Sequence, residues 1–133
     1  MAHSTLAKWH TFVQSPKAEI LNEILAEDVV FHSPVVWTPQ RGKMITITYL
    51  MAAAQVFIAG GGFRYIREVA NDQHVILEFE TEVEGITING VDMMELNGEG
   101  KIHSFKVMVR PLKAVNKIHE KMAEMLEKSA MNK

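Results

Sequence analysis

The apolar residues of this chain change from helical to alternating spacing at Gly60-Gly61-Gly62, and that break limits the folds open to it. Before the glycines apolar residues recur three and four positions apart, as on one face of a helix. After them they recur at every second position, as on a strand with one buried face. Helices followed by a run of strands is the element order of an α+β protein, in which a sheet buries one face against helices.

The helical part reads as three segments. Leu6, Trp9, His10, Phe12 and Val13 follow Ser4, a residue suited to cap a helix N-terminus. Ser15-Pro16 predicts the start of a second helix, with Ile20, Leu21, Ile24 and Leu25 as its apolar face. Val29-Val30-Phe31 then predicts a short edge strand halted at Ser33-Pro34, because proline has no N–H for a ladder. Gly42 leads into an apolar helix over Met44 to Ala59, which the three glycines end. Thr46, Thr48, Tyr49 and Gln55 interrupt it, and it falls short of the roughly 20 apolar residues that a bilayer requires. It reads as a buried helix, and no membrane partner is expected.

In the alternating part, Phe63, Tyr65, Arg67 and Val69 oppose Arg64, Ile66 and Glu68. Val75, Leu77, Phe79, Thr81 and Val83 oppose Glu78, Glu80, Glu82 and Glu84, a half-buried strand whose glutamates face water, with Arg64 placed to pair with them. Asn89-Gly90 and Asn97-Gly98 are turn signals, and Ile86 to Leu96 and Lys101 to Arg110 read as strands of one antiparallel meander. Pro111 ends the last strand. Val115, Ile118, Met122, Met125 and Leu126 then mark a C-terminal helix, whose Lys117, Glu120, Lys121, Glu124 and Lys128 read as a solvated face.

At 133 residues the chain is expected to form a single domain, 1–133, around one core. A net charge of −2 gives no electrostatic reason to expect nucleic acid as a partner. The chain has no cysteine, which excludes disulfides and thiol chemistry. Met1-Ala2-His3-Ser4 lacks the basic and then apolar run of a secretion signal, so a cytoplasmic protein is the default expectation. No phosphate-binding loop or dinucleotide fingerprint occurs, no two histidines have metal-site spacing, and no cofactor or metal is expected.

Three stretches together resemble the SnoaL-like members of the nuclear transport factor 2-like superfamily. Glu27 to Val35 is similar to that family's first strand and proline turn, and Arg41-Gly42-Lys43 to the start of its third helix. Gly90 to Ile102 is similar to its penultimate strand, glycine hairpin and last strand. The resemblance implies a cone, with a curved antiparallel sheet wrapped around N-terminal helices, an apolar pocket and a C-terminal helix. It also implies a homodimer paired through the outer sheet face. Family members include ketosteroid isomerases, cyclases, hydrolases, dehydratases and transport adaptors, so the fold alone does not choose a function.

By that resemblance Asp92 falls where the isomerases keep a carboxylic acid that donates to the developing oxyanion. The alternation that turns Met94 inward turns Asp92 inward too, and burial raises a carboxyl pKa. Asp92 therefore reads either as a neutral acid or general base, or as a hydrogen-bonded structural acid in the cavity wall. Ser33 stands in the place of the isomerase's base and Trp9 in that of its tyrosine, and neither can exchange a proton in those roles. The Arg-x-Asp element associated with the epoxide hydrolases is also missing from Leu77-Glu78-Phe79-Glu80. A hairpin turning at Asn97 to Gly100 sets Met94 opposite His103 and Asp92 opposite Phe105. His103 then reads either as a proton-passing diagonal neighbour of Asp92 or as a solvated rim residue. His32, His10, His3, His74 and His119 read as peripheral or weaker candidates.

Trp9, Phe31, Ser33, Trp37, Tyr49, Tyr65, Phe79, Met94 and Phe105 are the candidates to line a pocket for a hydrophobic small molecule. Such a protein would act, if at all, by acid or base chemistry of isomerase, cyclase or hydrolase type. The alternative is a non-enzymatic adaptor whose cone is filled and whose terminal helix docks a partner.

Overall fold

The computed structural model describes residues 2–131, with side chains described over 3–128. Met1, Asn132 and Lys133 lie outside the described residues, and with them the first residue of the N-terminal stretch and the end of the expected domain. In chain order the elements are α1 (Ala2–Gln14), α2 (Ala18–Ile24), β1 (Leu25–His32), β2 (Gln40–Arg41) and α3 (Lys43–Phe57). They continue with β3 (Arg64–Ala70), β4 (His74–Val83), β5 (Ile86–Leu96), β6 (Ile102–Arg110) and α4 (Leu112–Met131). The strands form one curved six-stranded sheet in the order β2-β1-β6-β5-β4-β3. No described helix is long and apolar enough to cross a membrane.

The meander β3 to β6 pairs antiparallel, and its alternation sorts residues onto two faces. Across the inner face run the rows Tyr65-Phe79-Gly90-Val109 and Leu77-Asp92-Val107, then Val75-Met94-Phe105. Across the outer face run Arg64-Glu80-Asn89-Arg110 and Arg67-Glu78-Val91-Met108, with Arg64 Nη2 placed 2.7 Å from Glu80 Oε1. Of the expected solvated glutamates, Glu78, Glu80 and Glu82 are on the outer face, whereas Glu84 falls in the turn after β4; Phe12, Phe79, Phe105, Leu77 and Ile88 are fully buried inside.

Several local expectations are corrected. β1 is interior to the sheet, parallel to β6 on one side and covered by the two-residue β2 on the other. Leu25 begins β1 instead of ending the second helix. Ser15 closes α1 by donating its N–H to the Thr11 carbonyl, and α2 starts after Lys17 with no side-chain cap. Ser4 lies within α1. Only for β1 is tertiary pairing the cause, through its ladders to β6 and β2.

Asn89-Gly90 is not a turn. The β4–β5 hairpin turns at Glu84-Gly85, both at positive φ (48° and 82°), and Gly90 lies within β5 opposite Phe79. A Cβ on Gly90 would collide with the Phe79 ring and come within 2.8 Å of the Met108 carbonyl oxygen. The carbonyl belongs to the β6 ladder and cannot retreat. Gly90→Ala is expected to cost about 1–3 kcal/mol, the usual range for overpacking, read as a lower urea midpoint at unchanged m-value. A variant as stable as the wild type would mean that the ring and strand relax freely.

α4 lies across the inner side of the sheet end and against α3, burying Ala114, Ile118 and Met122. The β4–β5 turn holds it: Glu84 Oε1 is 3.2 Å from Lys117 Nζ and its Oε2 is 2.7 Å from Lys121 Nζ. Glu84 is thus drawn below the ordinary glutamate range by two lysines of one helix face. The lysines expected only to face water also fasten the helix.

Candidate functional site

Sheet and helices line a cavity of about 200 Å³ that is open to solvent on one side. Phe79, Asp92, Phe105 and Val107 face it from the sheet, with Tyr65 from β3 and Phe31 from β1. Trp9 and Phe12 close it from α1, and Tyr49, Ala53 and Phe57 from α3. α4 contributes Ile118, His119, Met122, Ala123 and Leu126, and the segment after β1 contributes Ser33 to Val36. Among the described residues that line it, Asp92 bears the one carboxyl group, and no lysine or arginine is present.

Two bulges set this geometry, since an extra residue re-aims the side chains beyond it. In β3, Tyr65 pairs with Phe79 and Arg67 with Glu78, leaving Ile66 unpaired. Tyr65 consequently points inward while Arg67 and Val69 point outward, although plain alternation puts all three on one face. In β6, Glu95 pairs with Ser104 and Leu96 with Ile102, leaving His103 extra. The hairpin closes with Leu96 opposite Ile102 and the bulge adds one residue more, so Met94 is opposite Phe105 and Asp92 opposite Val107, two positions from the pairs expected.

The inward turn of Tyr65 builds a polar chain in an apolar wall. Trp9 Nε1 donates to Tyr65 Oη at 2.9 Å, and Tyr65 Oη donates to Asp92 Oδ2 at 2.6 Å. Asp92 is 7% exposed. Burial pushes its pKa up to about 7, against the opposing pull of the Tyr65 hydrogen bond, because a carboxylate loses its hydration there. Burial also pushes the Tyr65 hydroxyl well above its ordinary value, with the Asp92 charge as the next cause. No buried side-chain nitrogen or oxygen is left without a partner among the described residues. Each proton in the chain points toward Asp92. A protonated Asp92 accepts from Tyr65 on one oxygen and keeps an O–H on the other for a further acceptor.

The structure brings together Asp92, Trp9, Phe31, Ser33, Tyr49, Tyr65, Phe79 and Phe105 around the cavity. It leaves out three candidates. Met94 is buried in the core but does not line the cavity. Trp37, in the β1–β2 loop, is 96% exposed. His103 sits on its bulge with Nε2 3.2 Å from Glu95 Oε1, outside the lining. Ser33 is occupied with its own turn, where its Oγ accepts the Val35 N–H at 3.1 Å.

The sequence reading misses two features. His119 lines the cavity from α4 and is not peripheral, and α4 closes the cavity with Ile118, Met122 and Leu126. The stripe of α4 is legible, but a stripe is the same whether it covers a solid core or an empty space. Among the described residues no group of three or more histidine or acidic side chains is placed to hold a metal ion.

Comparison with known proteins gives the following. No family profile matches the sequence, and no curated protein matches it. A steroid delta-isomerase of Pseudomonas aeruginosa superposes with a TM-score of 0.91 at 31% identity, over 98% of this chain and 94% of the isomerase. An uncharacterised bacterial protein with a cystatin-like fold from Silicibacter pomeroyi superposes with a TM-score of 0.82 at 29% identity, over 97% and 86% of the two chains. The epoxide hydrolase/cyclase-like enzyme SalBIII matches with a TM-score of 0.65 at 18% identity, over 82% and 90%, a likeness of fold alone.

Proposed function

The chain belongs to the nuclear transport factor 2-like superfamily, and on that premise we propose that its cavity binds an uncharged hydrophobic small molecule whose carbonyl or hydroxyl oxygen accepts a hydrogen bond from Asp92. The observation that carries this reading is one buried carboxyl group, supplied by Trp9 and Tyr65, in an otherwise apolar cavity. A pocket of apolar walls with a few convergent polar groups and a perturbed carboxyl is the pattern of a ligand site. It favours a pocket protein over an adaptor with a filled cone.

The chemistry such a site supports is proton donation to a ligand oxygen, a step shared by isomerisation, cyclisation and hydrolysis. When Asp92 releases its proton, the Tyr65 hydroxyl already donates to the resulting carboxylate and stabilises it. The likeness to a steroid delta-isomerase supports acid–base work on a carbonyl compound. Ser33 supplies no second carboxylate, so a C–H proton would need another acceptor, and among the described lining residues the other histidine or acidic one is His119.

A thermal-shift comparison of cyclic ketones and alcohols with their parent hydrocarbons tests the reading. A ligand at about one hundred times its Kd stabilises the folded state by about 2.7 kcal/mol. The wild type is expected to be stabilised more by the oxygenated member of each pair, and Asp92→Ala to lose that preference relative to its own baseline. Equal shifts within each pair for both proteins would sink the reading.

A further inference from the structure

The ligand class can be narrowed by size, an inference that rests on the ligand-pocket reading above. With α4 in place, we infer that the cavity takes a neutral molecule of a single ring with one oxygen function, and that Met122 and Leu126 of α4 set this limit. The volume decides the size. An engineered apolar cavity of about 150 Å³ holds benzene, whereas drug-sized ligands occupy roughly 300–1,000 Å³. At about 200 Å³ the space exceeds the benzene case by room for a small substituent and falls below the lower bound for larger ligands. A four-ring steroid exceeds the walled space, despite the likeness to a steroid delta-isomerase, and would have to leave much of its length outside it.

The limit is not evenly distributed around the cavity. The sheet wall is pinned, since Phe79 lies over Gly90 and Phe105 is fully buried against Trp9, with ring centroids 5.1 Å apart. On α4, Met122 is buried and Leu126 only half-buried, and both project into the same space. Methionine is flexible, and shortening it opens volume without moving backbone. The charge selection follows from the lining: with no lysine or arginine among its described residues to pair with, a ligand carboxylate would meet Asp92 and lose its hydration uncompensated.

The test is calorimetric binding of three probes, cyclohexanone, 2-naphthol and a 3-oxo-steroid, to the wild type, Met122→Ala and Leu126→Ala. The wild type is expected to bind cyclohexanone, to bind 2-naphthol about tenfold more weakly, and to show no saturable steroid binding. Either alanine variant should recover about tenfold in 2-naphthol affinity. Because the two side chains differ in burial, one variant remains informative where the other fails to fold. Steroid binding to the wild type as tight as that of cyclohexanone, and lost in Asp92→Ala, overturns the size limit and leaves the pocket reading standing. An unchanged ranking in both folded variants overturns the assignment to α4. No binding of any probe to any of the proteins overturns both this inference and the reading beneath it.

Discussion

Replacing Asp92 with asparagine is expected to abolish most of the loss of stability that the wild type suffers between pH 4 and pH 8. The sign follows from where the proton is held. An aspartate in the unfolded chain titrates near 3.9, to within about a unit, whereas in the folded protein burial pushes Asp92 up to about 7. Between these values the folded state keeps a proton that the unfolded state has released, so stability from this group is full below the unfolded value. It falls as pH rises through the window and is level above the folded value. At about 1.4 kcal/mol for each tenfold, that window corresponds to about 4 kcal/mol, an order of magnitude for a fully buried group. The amide oxygen introduced by Asp92→Asn would still accept the Tyr65 hydroxyl, and any cost of that amide is the same at both ends of the window. Urea unfolding of both proteins at pH 4 and pH 8 reads the difference of slopes, and parallel slopes would show that Asp92 does not hold the proton.

The second large effect separates two aromatic residues that read alike in the sequence. Phe105 is 1% exposed, packs against Trp9 and Phe31, and forms part of the cavity wall. Phe105→Ala is expected to cost about 3–5 kcal/mol, the transfer of a buried ring plus the enlarged void it leaves. Trp37→Ala removes a larger ring from a position that is 96% exposed, and is expected to change stability by no more than about 0.5 kcal/mol. Chemical denaturation of the two variants checks both figures. Comparable losses would mean that Trp37 is covered in solution or that Phe105 is loosely held.

The contrast marks where sequence reasoning succeeds. Period-2 alternation in β4 places Val75, Leu77, Phe79, Thr81 and Val83 inside because one buried face forces every second residue inward. Asp92 is found in the same way, by its parity with Met94 on β5. Parity is also what misleads, because it survives only while the ladder is regular. The unpaired Ile66 turns Tyr65 toward Asp92, and the unpaired His103 carries its own ring out to Glu95. Neither extra residue is a glycine or proline that would announce a bulge, so neither is legible.

Turn chemistry misleads in a related way. Asn89-Gly90 has the residues of a tight turn, yet its glycine is required because Phe79 and the Met108 carbonyl occupy the space of a side chain. Asn89 spends its amide on Glu78 and on the Phe79 carbonyl, and accepts from Arg110. A glycine needed for close approach and one needed for a left-handed turn have the same letter. The placement of α4 is illegible for another reason: its stripe fixes that the helix packs, while the pair of lysines held by Glu84 fixes where.

The central claim is that Asp92 holds a proton at the end of the Trp9–Tyr65 chain and offers it to a ligand oxygen. Carbon-13 NMR titration of the Asp92 carboxyl, alone and with saturating cyclohexanone, measures this directly. The account predicts a midpoint near 7 in the free protein, moving upward when the ketone accepts the hydrogen bond from the protonated form. A midpoint near 4, to within about a unit and unmoved by the ketone, would contradict it and leave Asp92 an ordinary ionised residue of the cavity wall.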